Sequence, residues 1–285
     1  MTKSCRAVRW VALVCLVPFM LQFENSFAEK QKKMTPEELV AKHLESLGSP
    51  EARAAVKSRT AFGLGYVQRP VGTVPQVLPE PGEQTDPTNF LLASAERNLG
   101  MVFKFYDEDY PGEHFAWDGK DATIKLLKQN NRSTLGNYMN TYTGLLREGL
   151  LGGTLSTAWP LLDVQQGKFK LKYKKEEIDG IPFHQLTYAP KSNRYLVNIV
   201  VHLFFNFDTY HHVMTEYQVM GTTAHPTLVV LERFGNFKEV DGLMLPHRYS
   251  IDYTPWRETR VLRWGAEIKQ VSHNTPIEPA MFHVQ

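Results

Sequence analysis

Apolar and polar positions alternate along most of the C-terminal half of the chain, and a period of two reads as strand after strand. The clearest case is Val197–Phe207. Its odd positions are Val197, Ile199, Val201, Leu203, Phe205 and Phe207, whereas the even ones mix Leu196, Val200 and Phe204 with Asn198, His202 and Asn206. Successive side chains of a strand point to opposite faces, so one face is unbroken hydrocarbon and aromatic surface. The same alternation predicts strands over Phe169–Lys175, Pro182–Ala189, His212–Met220, Thr227–Glu239, Leu245–Tyr253 and Arg260–Ser272. Asp179-Gly180 and Asp241-Gly242 punctuate them as two-residue hairpin turns. The result is one antiparallel sheet whose apolar face needs a cover, whether helix, second sheet or ligand.

Helical signals cluster in the N-terminal half. Thr35-Pro36-Glu37-Glu38 carries an N-cap, a first-position proline and first-turn acids, and Leu39, Val40, His43, Leu44 and Leu47 follow on one face before Gly48. A second short helix is predicted over Pro50–Lys57. Arg59–Val67 reads as the first strand, with a bend or bulge at Gly63 and Gly65, followed by short strands at Met101–Tyr106, His114–Trp117 and Ala122–Leu127. Asp118-Gly119 is a further hairpin signal. Leu135–Leu151 is predicted as the longest helix, with Leu135, Tyr138, Met139, Tyr142, Leu145, Leu146 and Leu150 at helical spacing and Gly152-Gly153 as its stop. The apolar link Leu155–Leu162 leaves room for one more helical turn around Ala158–Leu162. Pro70, Pro75, Pro79, Pro81 and Pro87 mark residues 68–87 as a stiff, largely unpaired surface loop. Together these elements define an α+β chain dominated by its sheet.

The first residues change the setting. Lys3, Arg6 and Arg9 precede the apolar stretch Trp10–Phe23, and Ser26-Phe27-Ala28 supplies small residues for a signal peptidase. Cleavage after Ala28 is expected, leaving a single domain over residues 29–285. The cut removes both cysteines, Cys5 and Cys15, so thiol catalysis, disulfides and cysteine zinc sites are excluded from the exported chain. It also removes Lys3, Arg6, Arg9 and Glu24, leaving 29 basic and 29 acidic side chains. That balance argues against a nucleic-acid partner.

The chemistry-bearing residues form no motif. His211-His212 is the most conspicuous pair, but neighbours on a strand diverge, and His202, His225 and His247 fall on separate elements. There is no HExxH, no G-x-S-x-G elbow and no phosphate loop. Ser156 stands beside no obvious base, and Asp163, Asp208 and Asp252 are isolated carboxylates. Lys168, Lys170, Lys172 and Lys174 alternate with Phe169, Leu171 and Tyr173, as on a half-buried strand protected from edge pairing or on a basic rim for anions. Asn131-Arg132-Ser133 fits a glycosylation sequon. No metal, cofactor or catalytic residue is expected.

Several stretches resemble the outer-membrane lipoprotein-sorting family, the LolA/LolB-like periplasmic carriers: MTPEELVAKHLESLGSPEARAAVK at Met34–Lys57, FAWDGK at Phe115–Lys120 and EVDGLMLP at Glu239–Pro246. REGLLGGTLSTAWPLL at Arg147–Leu162 resembles the signature of an uncharacterised bacterial branch. The resemblance implies a strongly curved antiparallel sheet, an unclosed half-barrel, with helices over its concave side. It implies a periplasmic monomer that carries lipid or an acylated protein between inner- and outer-membrane transport components. Residues 68–87 are an insertion relative to that pattern. On this reading Val197, Ile199, Val201, Leu203, Phe205, Phe207, Val213, Tyr217 and Val219 line an apolar cavity, and Tyr142, Leu145, Leu146 and Leu150 form its lid. The same residues suit a structural or interaction protein whose helices fill the hollow. A hydrolase would require a His/carboxylate cluster inside it.

Overall fold

The computed structural model describes residues 34–284 except 72–73, 79–88, 106–110, 127–132, 163–168, 191–197, 223–224 and 256–260, and gives the backbone alone for 70, 71, 74–78, 126 and 190. The proposed signal peptide and cleavage site, most of the proline-rich segment, Asn131 and Arg132 of the sequon, Asp163, Lys168 and Val197 lie outside the described residues. Residues 34–285 form one compact unit.

Two helices open the fold. In α1 (Pro36–Leu47) the Thr35 hydroxyl accepts from the Glu38 N–H and the Glu38 carboxylate accepts from the Thr35 N–H, a reciprocal capping box. Its buried residues are Leu39, Val40, His43 and Leu47, the face predicted from spacing, with Leu44 packed at the margin. α2 (Pro50–Ala55) is short, capped by Ser49, and buries nothing.

The strands are β1 (Ser58–Val71), β2 (Val74–Leu78), β3 (Phe90–Ala95), β4 (Asn98–Lys104), β5 (Gly112–Trp117), β6 (Ala122–Leu126), β7 (Phe169–Ile178), β8 (Ile181–Pro190), β9 (Ile199–Asn206), β10 (His212–Met220), β11 (Pro226–Val240), β12 (Leu243–Pro255) and β13 (Leu262–His273). All pairings are antiparallel. The path runs β6-β5-β4-β3-β1-β13-β12-β11-β10-β9-β8-β7 and does not close, while β2 pairs with the C-terminal part of β1. Two meanders are thus spliced where β1 meets β13, with the bulge expected near Gly63 falling between Phe62 and Gly63.

Three local readings need correction. Val74–Leu78, placed by its prolines in an unpaired loop, returns as β2; prolines are tolerated where a strand lies at an edge. β3 is a strand that its apolar run does not mark by alternation. The β5–β6 loop is four residues long rather than two, because the Asp118 carboxylate accepts from the N–H groups of Lys120 and Asp121 and organises a wider turn.

The expected long helix is also broken. It forms α3 (Thr134–Thr141), capped by Ser133, and the single turn α4 (Gly144–Arg147). Tyr142, with φ −112° and ψ 48°, leaves the helical region between them. A 3-10 turn over Gly153–Leu155 and a last turn at residues 160–162 complete the segment. The reason for the break is topological. This segment joins β6 to β7, and those strands are the two ends of the sheet path. The chain must travel from one edge of the sheet to the other, which a single straight helix following the sheet's twisted surface does poorly. Residues 134–162 therefore form a strap.

Candidate functional site

The strap lies against the apolar face that alternation predicts. Across the sheet, Tyr173, Leu186, Leu203, Thr215, Glu232, Ile251, Trp264 and Val67 fall in one cross-strand row from β7 to β1. Leu145, Leu146, Leu150, Leu151, Leu155, Trp159 and Leu161 of the strap share one buried cluster with this face.

Most of the predicted lining assembles there. Val201, Leu203, Phe205, Tyr217, Leu145 and Leu150 are 0% exposed, and Leu146 and Val219 are also buried. Ile199 and Tyr142 pack at the margin of the cluster. Phe207 and Val213 stand outside it. Phe207 stacks on His184 with ring centroids 4.6 Å apart. A bulge between His212 and Met214 reverses the phase of β10, so His212 enters the core and Val213 stays half-buried.

Glu232 is the residue that sequence reasoning missed. It occupies the inward phase of β11 between Val230 and Phe234 and is 0% exposed. A carboxylate in step with two apolar residues is the signal that marks it. Tyr217 Oη lies 2.5 Å from Glu232 Oε2, Tyr249 Oη lies 2.5 Å from Oε1, and the Gly152 N–H of the strap donates to Oε1 over 2.8 Å. Burial pushes the carboxyl up to about 7 despite these donors. Tyr217 also lies 3.0 Å from the Leu150 carbonyl of the strap.

A second buried charge holds the same turn. The guanidinium of Arg59 donates to the Thr154 carbonyl and, over 3.0 Å, to His273 Nε2. His273 in turn meets the Asp241 carboxylate at 2.8 Å. Burial lowers Arg59 to about 10, which still leaves it charged at neutral pH. The strap backbone at Gly152–Thr154 is therefore gripped by an acid through an N–H and by a base through a carbonyl.

Beside this grip sits an aromatic nest. Trp159 of the strap stacks on His212 at 4.6 Å, and His43 of α1 meets Phe205 edge-on at 4.9 Å. His43 Nδ1 donates to the Tyr210 carbonyl, while its Nε2 and His212 Nδ1 have no hydrogen-bond partner. Burial holds His43 down to about 4 and His212 well below its ordinary value, so both rings are neutral near pH 7. They are core aromatics with polar edges.

The remaining candidates disperse. His211 stacks on Phe237 at 4.6 Å, away from His212. His202 bonds Gln185 and Thr187 on the other side of the sheet, and His247 Nδ1 donates to the Leu245 carbonyl. Asp252 is paired with Arg233 and Arg263, Asp208 is exposed, and the Ser156 hydroxyl accepts from the Ala158 N–H. Among the described residues no three His, Cys, Asp or Glu side chains gather as a metal site. The lysines of β7 are exposed on an edge strand while Phe169, Leu171 and Tyr173 are half-buried.

A cleft of about 280 Å³ opens along the strap, between Glu96, Arg97, Glu148, Trp159, Phe169 and Tyr188. Tyr188 Oη donates to Glu148 across it at 3.0 Å.

No protein-family profile matches the chain, and no curated protein does. Among solved structures, a DUF1329 family protein from Desulfovibrio piger is 10% identical, covering 87% of this chain and 97% of its own, with a TM-score of 0.49. The MucA/MucB complex of Pseudomonas aeruginosa is 8% identical over 83% of this chain and 99% of that one, with a TM-score of 0.21. A second MucB structure, in complex with MucA(peri), is 6% identical over 84% and 99%, also with a TM-score of 0.21. At these scores the likeness carries no inference about function.

Proposed function

We propose that the protein is an exported, periplasmic, non-catalytic carrier of an acyl chain, borne by lipid or by an acylated protein, and that the strap is its lid. On this reading the sheet curls as a half-barrel around residues 134–162, and the guest replaces the strap on the face of Val201, Leu203, Phe205 and Tyr217. The observation that supports it is the nature of the cover. It is neither a second sheet nor a long helix but broken short turns tethered at both sheet ends, with Gly149, Gly152 and Gly153 at positive φ. Glycine absorbs backbone rotation readily, so such a cover swings without unfolding the sheet. Each buried CH₂ of a guest contributes about 0.8 kcal/mol, enough for a long chain to compete with the strap's leucines.

Native mass spectrometry of protein purified from the periplasm, with lipid extraction, tests this. A near-stoichiometric acyl lipid is expected. Repeated absence of lipid, with no uptake of a fluorescent fatty acid, defeats it.

One observation favours a second reading. Four of the lining side chains and two of the lid's are 0% exposed, as in a finished core. An interaction protein with a filled interior has that property, and it copurifies with a protein partner and without lipid.

A further inference from the structure

The face of the sheet turned away from the strap holds a separate feature. There Phe62, Leu91, Val102, His114 and Lys125 form one cross-strand row from β1 to β6. The C-terminal segment Pro276–Val284 runs over this face. Its Met281 carbonyl accepts from His114 Nε2 at 3.0 Å, and its Val284 N–H donates to the Thr123 hydroxyl at 3.2 Å. Gly100 makes the crossing feasible, because a Cβ there would sit 2.1 Å from the Met281 oxygen. Beside the crossing remain two adjoining cavities of about 480 and 440 Å³ that share Leu91, His114 and Met281.

Their chemistry is lopsided. The walls are mainly apolar, from Phe62, Leu91, Val102 and Met281. Lys104 borders one cavity and Lys125 the other, and both ammonium groups are close enough to His114 to lower its pKa, after the larger effect of burial. No ion pair holds either lysine among the described residues. Glu278 is the acid at the rim of the second cavity. His114 donates through Nε2 to the tail and stays neutral, so it separates the two cations without adding a third.

We propose that this groove binds a single-chain fatty carboxylate, with hydrocarbon along Phe62, Leu91, Val102 and Met281 and its head group between Lys104 and Lys125. Pockets for amphiphiles combine an apolar lining with a few polar groups that fix orientation, and the volumes here match small-ligand sites. Charge complementarity selects the anion over a cation with the same tail. The site is independent of the strap and of the carrier reading.

Calorimetric titration of the full exported chain with laurate, below its micelle concentration, tests the proposal. A saturable site is expected that depends on Lys104 and Lys125, whether or not the strap face takes a second laurate, and that is at least tenfold tighter for laurate than for dodecyltrimethylammonium. The double variant Lys104→Gln/Lys125→Gln, which alters only exposed side chains, should lose about tenfold in laurate affinity. A diazirine-bearing laurate should label peptides containing Val102 or Met281. Equal binding of the two surfactants, an unchanged double variant, or labelling confined to residues 144–162 would overturn it.

Discussion

The Tyr217 hydroxyl stands 2.5 Å from Glu232 Oε2 and 3.0 Å from the Leu150 carbonyl, and it has one proton for two acceptors. If Glu232 is neutral, with its proton on Oε2 because Oε1 already accepts from the Gly152 N–H and faces Tyr249, that proton goes to Tyr217 Oη and the tyrosine proton is free for Leu150. If Glu232 is ionised, the tyrosine proton turns to the carboxylate and the strap carbonyl loses its donor. The protonation of one buried acid therefore decides whether the strap keeps this bond.

The pH dependence follows from burial. Glu232 titrates near 4.5 when unfolded and about 7 when folded. Between these values the native chain holds a proton that the unfolded chain has released. This contribution is full below 4.5 and is lost as pH rises through 7, amounting to roughly 3 kcal/mol. His43 works oppositely, its contribution being lost as pH falls from 6.5 towards 4. Comparison with Glu232→Gln separates the two. In urea titrations the stability of the wild-type chain relative to this variant should decline between pH 4.5 and 7 and level off above, whereas a constant difference would place the titration elsewhere.

Tyr138 on α3 gives a prediction of unusual sign. Its hydroxyl is buried with no hydrogen-bond partner, and its ring packs 5.0 Å from Tyr142. Removing an unsatisfied buried hydroxyl while keeping the ring should stabilise by about 1 kcal/mol. Thermal unfolding of Tyr138→Phe should show a higher midpoint.

Gly153 is fixed by both its backbone and its surroundings. It adopts φ +49°, and a Cβ would lie 2.7 Å from Phe234 Cζ and 2.9 Å from His212 Nδ1. Gly153→Ala should cost more than about 1 kcal/mol, with near-ultraviolet circular dichroism reporting disturbed packing around Trp159.

Arg59 makes the strap's other buried anchor. Arg59→Met keeps much of the side chain's bulk and removes the bond to the Thr154 carbonyl. A hydrogen bond to a charged group contributes about 1.5–3 kcal/mol, so chemical denaturation should show a loss of that order. Amide exchange at Leu155 and Ser156 should quicken more than in β9 or β12.

The strands from β7 onward were legible because each alternates and because Asp179-Gly180 and Asp241-Gly242 hold positive φ at both turn positions, as the dipeptides promise. The α1 boundaries were legible from the cap and the closing glycine. The route of residues 134–162 was not, since helical spacing describes a local preference and the crossing arises from β6 and β7 being opposite ends of the path. Glu232 was half legible: its inward phase is written in the alternation of β11, but its partners come from β10, β12 and the strap. The apolar lining was mostly identified, and the exceptions have local causes. Val213 is displaced by a bulge, and Phe207 lies beyond the end of β9, where the turn carries it onto His184.

The central claim, that the strap yields its place to an acyl chain, is tested most directly by hydrogen exchange with and without 1-palmitoyl lysophosphatidylcholine below its micelle concentration. The zwitterionic head group keeps this probe from favouring the Lys104–Lys125 groove. The account predicts saturable binding and faster exchange at Gly152, Leu155 and Ser156, with protection of β9, β10 and β11 retained. Binding that leaves those strap amides as protected as before, or no binding at all, would contradict it.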